Sequence, residues 1–387
     1  MTADAAAVRR RPKDRKQQIL VQARELFLEL GYPNVSMAMI ADRVGITAGA
    51  LYRHFSTKAD LLEAVVRDAF RTLTPPAEGL ALDELIDREI AAVAGRSNLA
   101  DLWSREVRYL PEQVRRDIRA VMRETARAYL TPLKTIRPRL TLVQAEMIAW
   151  SIQSVLSCLG RDSVRLPPTG GQALVRGAVR ALPTVPLADP AGPRPAAGLA
   201  PVSTRERLLI AARRQFAAVG YQEASMASIG AAADVTGQNL YFYFDSKAAL
   251  LRAVLDRGTH ALWLELDAAL ETAAGPAAAL KSVVAGYVRL SRDWAGLQVD
   301  LIGDPALAEE FRGAQREYVA EWITLLRQVR PELALAEARA LVQIALTTAN
   351  DLPRIWHLAQ QSSFNTWLTS IITAILASTP APRLDIK

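Results

Sequence analysis

One stretch of this chain occurs twice. Leu20–Val65 aligns with Leu209–Val254 at an offset of 189 residues without a gap, and 20 of the 46 pairs are identical. The identities include Phe27/Phe216, Gly31-Tyr32/Gly220-Tyr221, Ser36-Met37-Ala38/Ser225-Met226-Ala227, Thr47/Thr236, Leu51-Tyr52/Leu240-Tyr241, Phe55/Phe244 and Lys58/Lys247. A period near 190 residues is far longer than a solenoid unit, so it marks two domain-sized copies. Between them, Pro183 to Pro201 holds six prolines in 19 residues. That composition predicts an extended, semi-rigid spacer over 184–201.

Elsewhere apolar residues recur at three- and four-residue spacing, as in Ile19–Leu30, Leu61–Phe70, Val114–Leu133, Val143–Leu159, Phe311–Val329 and Ala338–Ile355. No clear alternating run suggests a strand, so the class expected is all-α. The pattern divides the chain into a basic arm (1–14), a first head (15–70), a helical body (80–183), the spacer, a second head (202–258) and a second body (259–379).

Within each repeated block the punctuation is that of helix, loop, helix, tight turn, short helix. Gly31 stops the first helix. Ser36 is suited to cap the second, and Thr47 the third. Gly45 permits the turn between them, where the second copy has Asp234, a residue that visits positive φ more readily than most. Ser56 is read as the cap of the fourth helix, and Ser225, Thr236 and Asp245 are the caps expected in the second copy. A helix, a tight turn and a short second helix make the helix-turn-helix shape, whose second helix enters the major groove of DNA.

The strings "GY…S…IA…GIT…ALYRHFSTKADLL" and "GY…SMASIG…VTGQNLYFYFDSKAALL" resemble the DNA-binding signature of the tetracycline-repressor (TetR) family. The likeness is tight over about 15–70 and 204–258 and elsewhere extends only to helical character. The resemblance implies two TetR-like units in one chain, each a reading head followed by a ligand-binding and pairing body. It implies that Thr47, Tyr52 and Lys58 hold phosphates while Ala48, Gly49 and Arg53 face bases. In the second copy Thr236, Tyr241 and Lys247 match the phosphate set, and Gly237, Gln238, Asn239, Phe242 and Tyr243 face the groove. The opening "RRRPKDRKQQIL" and the "LYRHF" and "WSREVRYL" strings are similar to a tandem TetR-type repressor of a mycobacterial mammalian-cell-entry lipid-import operon.

The residue types support that reading independently. Small residues at the start of a reading helix let the backbone approach the groove floor. Arginine suits guanine, and glutamine or asparagine suits adenine. Ser36, His54 and Ser225 complete the candidate contacts. Blander roles stand beside these: Tyr52 and Tyr241 as core-edge tyrosines, His54 as a bystander, Lys58 and Lys247 as solvated charges, and Phe242 and Tyr243 as packing between units. The arm Arg9–Lys16 carries six positive residues and one acid. Arg9, Arg10, Arg11 and Lys13 there are candidates for the minor groove or phosphates, or else form a solubilising tail.

Net charge is +7, and the first 189 residues carry the whole surplus, so the first head is expected to dominate affinity. The bodies are longer than reading requires. By the resemblance they pair, which in one chain makes an intramolecular pseudo-dimer on an asymmetric double-stranded operator, acting as a ligand-released repressor. An activator, or a ligand-sequestering protein with degenerate heads, is the alternative. The pairing helices expected are Val143–Leu159 and Ala338–His357, and a further homodimer is left open. Trp103, Trp150, Trp294, Trp322 and Trp356 are candidates to line an apolar pocket, although core packing is the commoner use of tryptophan. The effector expected from the resemblance is a lipid or sterol catabolite or its acyl-CoA ester, with no cofactor and no metal.

An enzyme is disfavoured. The chain has three histidines, one cysteine, and no phosphate loop, metal-ligand spacing or nucleophile elbow. Cys158, in an apolar run, reads as a buried thiol. No uninterrupted apolar segment reaches the roughly 18 residues of a membrane span, and no apolar core follows the N-terminal basic run. The expected setting is the cytoplasm, on the nucleoid.

Overall fold

A computed structural model describes residues 12–71, 73, 79–93, 98–189, 199–294 and 305–382. The architecture is all-α. In chain order the helices are α1 (Pro12–Leu30), α2 (Met37–Val44), α3 (Ala48–His54), α4 (Lys58–Phe70), α5 (Leu82–Val93), α6 (Leu99–Glu106), α7 (Glu112–Arg127), α8 (Leu130–Ile136), α9 (Leu142–Ser157) and α10 (Gly171–Ala181). The second half follows with α11 (Thr204–Glu223), α12 (Met226–Ala232), α13 (Gly237–Tyr243), α14 (Lys247–Thr272), α15 (Pro276–Trp294), α16 (Pro305–Val329), α17 (Leu335–Asp351), α18 (Trp356–Ala359) and α19 (Phe364–Ala377). The periodic stretch expected over Val114–Leu133 breaks between α7 and α8. Pro132 lies in the first turn of α8, where no helical N–H partner is needed.

The chain falls into two compact units, Met1–Thr74 with Asn98–Met122, and Pro75–Ser97 with Arg123–Lys387. In the smaller unit α1 to α4 close around Ile19, Phe27, Ile40, Leu51, Leu61, Leu62 and Val66, joined by Leu102 of α6 and Val114 and Ile118 of α7. Local chemistry sets the ends. Gly31 takes φ 78° and Gly45 φ 72°. Ser36 Oγ accepts from the Met39 N–H and Thr47 Oγ1 from the Ala50 N–H, both at 3.2 Å. The cap of α4 is Thr57 rather than Ser56. Thr57 Oγ1 accepts from the Asp60 N–H and Asp60 Oδ2 accepts from the Thr57 N–H, both at 3.0 Å, a reciprocal box that Ser56 cannot make one residue earlier.

In the larger unit α11 to α14 repeat that plan. Leu209, Phe216, Ile229, Leu240, Phe244, Leu250 and Val254 form the matching core. Asp234 takes φ 55° in the place of Gly45. Ser246, not Asp245, caps α14 by accepting from the Ala249 N–H at 3.1 Å. α14 runs unbroken for 26 residues, so the boundary expected at 258 falls inside a helix.

The rest of the larger unit is one shared core to which both halves of the chain contribute. It joins Leu85, Ile86, Ile148, Ile152 and Val179 from the first half with Trp322, Leu341, Ile344, Trp367 and Ile371 from the second. α9 packs on α17, where Ser154 Oγ donates to Asp351 Oδ2 at 2.9 Å and Arg161 Nη2 does so at 2.7 Å. These are the two helices expected to pair; α10 and α19, which end the two halves, also pack together. Leu142–Gly160 is long and apolar enough to cross a membrane, yet 61% of its most apolar window is buried inside the protein.

A second repeat underlies this core, at an offset of 193. Arg137-Pro138-x-Leu140-x-Leu142 recurs as Arg330-Pro331-x-Leu333-x-Leu335. The two arginines do the same work. Arg137 Nη1 donates to Pro183 O and Val185 O, both at 2.8 Å. Arg330 Nη1 donates to Leu376 O at 2.9 Å and Ser378 O at 2.7 Å. Each pins the chain leaving its own half, and each exit segment then crosses to the other half. Trp367 Nε1 donates to Ala188 O at 2.7 Å, and Ser363 Oγ to Asp189 O at 3.2 Å. Reciprocally, the Ala381 N–H donates to Ala173 O at 2.9 Å. The start of the Pro-rich segment, expected as an extended, semi-rigid spacer, is therefore docked through 189, because its carbonyls meet donors from both halves. Residues 190–198 lie outside the described set.

The exchange needs a glycine. A Cβ on Gly177 would stand 1.8 Å from Thr379 O. Gly177→Ala is therefore expected to expel residues 379–382 from α10, with a lowered melting temperature and faster amide exchange at Ala381.

Candidate nucleic-acid interface

The third helix of each head is held by its apolar side and shows the other. Leu51 and Phe55 are buried, as are Leu240 and Phe244. Ala48, Gly49, Tyr52, Arg53 and His54 consequently face solvent on α3, and Asn239, Tyr241, Phe242 and Tyr243 do so on α13. Tyr52 and Tyr241 are 52% and 53% exposed, and Phe242 is 86% exposed. Gly237 and Gln238 open α13, but their side-chain surroundings lie outside the described residues. Ser36, Ser225, Thr47 and Thr236 are exposed at the caps. Where a cap hydroxyl oxygen accepts from the backbone, its own hydrogen remains free to donate outward. Thr236 makes no cap bond.

The two lysines expected at phosphates are engaged elsewhere. Lys58 Nζ donates to Tyr32 O and Val35 O at 2.9 Å and reaches Pro33 O at 3.4 Å. It also sits 4.3 Å from the Tyr32 ring centre. Lys247 Nζ donates to Gln222 O at 3.1 Å and Ala224 O at 3.0 Å, 4.6 Å from the Tyr221 ring. An ammonium has three protons, and here they tie the start of α4 or α14 to the loop before α2 or α12. Both lysines are scaffold in this structure.

Beside Lys58 lies a carboxylate that the sequence did not single out. Glu106 of α6 is 1% exposed, and both its oxygens accept from the Tyr32 N–H at 3.3 Å. Burial pushes its pKa up to about 7, against the lowering influence of Arg105, Arg108 and Lys58. The folded head thus holds this proton more tightly than the unfolded chain does. Its contribution to stability is largest below the ordinary glutamate value and is lost as pH rises from about 4.5 to about 7. Glu106→Gln keeps an acceptor for Tyr32 without the charge. It is expected to flatten that slope and to melt higher than the parent at pH 8, which a melting series from pH 5 to 8 checks.

Arg9, Arg10 and Arg11 lie outside the described residues. Lys13 stands on α1, which begins at Pro12, so the arm is shorter than expected; its side chain is not described. Lys16 lies 5.6 Å from the Phe55 ring, and Arg205, its repeat partner, 5.2 Å from Phe244. The candidate pocket tryptophans do not converge. Trp103 packs against Phe70 in the smaller unit. Trp294 covers Gly258, and Trp356 is 75% exposed. Trp150 and Trp322 belong to the shared core. There Trp322 is grouped with Tyr287, Tyr318 and Trp263 at ring separations of 5.6–6.5 Å. Tyr287 Oη donates to Asn350 Oδ1 at 3.0 Å, and burial pushes that phenol up to about 12. Among the described residues no cluster of histidine, cysteine and acidic side chains could hold a metal ion.

Residues 19–65 and 208–254 each match the family of bacterial regulatory proteins, tetR family. The chain carries two TetR-family DNA-binding domains. A relative of the TetR heads is the HTH-type transcriptional activator FasR of Mycolicibacterium smegmatis, 42% identical over 77 residues, covering 17% of this chain and 35% of that protein. Another is an HTH-type transcriptional regulator of Staphylococcus aureus strain USA300, 43% identical over 60 residues, covering 16% and 32%. The chain thus spans about a third of the length of the curated relatives it matches. Among solved structures, a TetR-family regulator from Bordetella parapertussis superposes with a TM-score of 0.41 at 23% identity, covering 46% of this chain and 95% of that one. The ketosteroid regulator KstR2 of Mycobacterium tuberculosis gives 0.40 at 17%, covering 48% and 99%.

Proposed function

We propose that this chain is a transcription regulator that binds one asymmetric operator as an intramolecular pseudo-dimer. The observation that carries the reading is the pair of matched TetR-type helices with different exposed residues: Tyr52-Arg53-His54 on one and Tyr241-Phe242-Tyr243 on the other. Two unlike heads read two unlike half-sites. The packing of α9 on α17 and the exchanged segments support pairing within one chain, because they occupy surfaces that a second copy would otherwise need. Bound beside a promoter, such a clamp represses by occlusion. Release follows when an effector binds one conformation better than the other. The effector proposed is a lipid or sterol catabolite or its acyl-CoA ester.

A DNase footprint on the DNA upstream of the gene, at physiological salt, tests this. A discrete, asymmetric protected stretch is the expected result, and uniform salt-sensitive binding would overturn the reading. The relative FasR is named an activator, so transcription in vitro from the protected promoter decides the sign: less transcript with added protein supports repression, more supports activation.

A further inference from the structure

The greatest chemical difference between the two reading helices falls at one repeated position, Arg53 on α3 and Phe242 on α13. Phe242 is 86% exposed, the most exposed aromatic ring among the described residues. Tyr243 meets it edge-on, with ring centres 5.4 Å apart and planes at 85°, which narrows the directions the phenyl can take. The helix beneath is anchored by Leu240 and Phe244, both buried, so the ring stands on a fixed base rather than on a loose loop.

A phenyl ring carries no donor and no acceptor. In the major groove it cannot answer guanine O6 and N7, which suit the guanidinium of Arg53. The thymine C5-methyl is the apolar group that the bases display there. We propose that Phe242 reads a thymine methyl, so that the operator has guanine under the first head and thymine at the matching place under the second. This deepens the operator reading above and rests on it. It also gives the second head, whose half of the chain is neutral overall, a contact that needs no charge.

The test selects duplexes from a randomised pool with the full-length protein, then replaces the thymines of each half-site by deoxyuridine. That change removes the methyl and leaves every hydrogen-bonding group in place. Each methyl read should be worth about fourfold in affinity, the value of one buried methylene. The loss is expected in one half-site with the parent protein and should vanish in Phe242→Ala. That variant should melt like the parent because the ring is exposed. Equal binding to thymine and deoxyuridine duplexes would overturn the inference while leaving operator binding intact. So would deoxyuridine sensitivity that persists in Phe242→Ala, or a half-site without thymine. A change in oligomeric state in Phe242→Ala with unchanged DNA affinity would make the ring a protein contact instead. If no sequence is selected at all, the operator reading itself falls.

Discussion

Replacing Asp87 with alanine is expected to destabilise the larger unit by about 3–5 kcal/mol, the usual cost of leaving a buried charge without its counter-ion. Arg176 Nε donates to Asp87 Oδ1 at 2.6 Å, and the two side chains are only 7% and 4% exposed. Arg180 lies 3.7 Å from the other carboxylate oxygen. Arg176 also reaches Ala381 O at 3.4 Å, so the pair joins α5, α10 and the C-terminal segment. Without Asp87 the guanidinium keeps its desolvation cost and loses its main partner. Urea denaturation of the parent and Asp87→Ala measures the loss. Asp87→Leu combined with Arg176→Met should recover much of it, since removing both charges leaves nothing buried and unpaired. Equal midpoints for parent and Asp87→Ala would show that water reaches the pair.

Lys58→Ala separates a scaffold lysine from a phosphate-binding one. Three carbonyl oxygens would lose their shared donor, and Glu106 a neighbouring positive charge. The expected cost is on the order of 3 kcal/mol, the worth of a charged hydrogen-bonding group, confined to the first head. DNA affinity should fall in step with the unfolded fraction of that head, while the dependence of log affinity on log salt keeps its slope. A lysine bound to phosphate behaves differently: its loss leaves stability alone and reduces the slope by about one. Denaturation and salt titration of the same variant decide the matter. Unchanged stability with a smaller slope would return Lys58 to the phosphates.

The head was legible because its determinants are local. Ser36, Thr47 and Ser225 are caps, Gly45 and Asp234 make the turn, and Leu51 and Phe55 are four apart on one face of a short helix. The internal repeat helped further. Positions identical in both copies, such as Phe27/Phe216 and Leu51/Leu240, proved to be core, while Arg53/Phe242 and His54/Tyr243 differ and face solvent. Identity alone did not separate core from surface, since Tyr52/Tyr241 and Thr47/Thr236 are identical in both copies and exposed. The caps of the fourth helices went to Thr57 and Ser246, because one-residue choices between adjacent polar side chains depend on backbone angles that no pattern encodes. The tryptophans were misleading as a set, since ring size selects for burial without saying in which core.

By itself the sequence determined the duplication, the all-α class and the two helix-turn-helix heads. Those follow from capping, turn chemistry and apolar spacing within a few residues of one another. Tertiary structure alone decided which charges are free. Lys58 is spent on carbonyls 23–26 residues away, Arg137 and Arg330 on carbonyls 46 and 48 residues on, and Trp367 on one 179 residues back. A backbone carbonyl is the same at every position, so a side chain that finds one across such distances leaves no mark in the sequence of its partner.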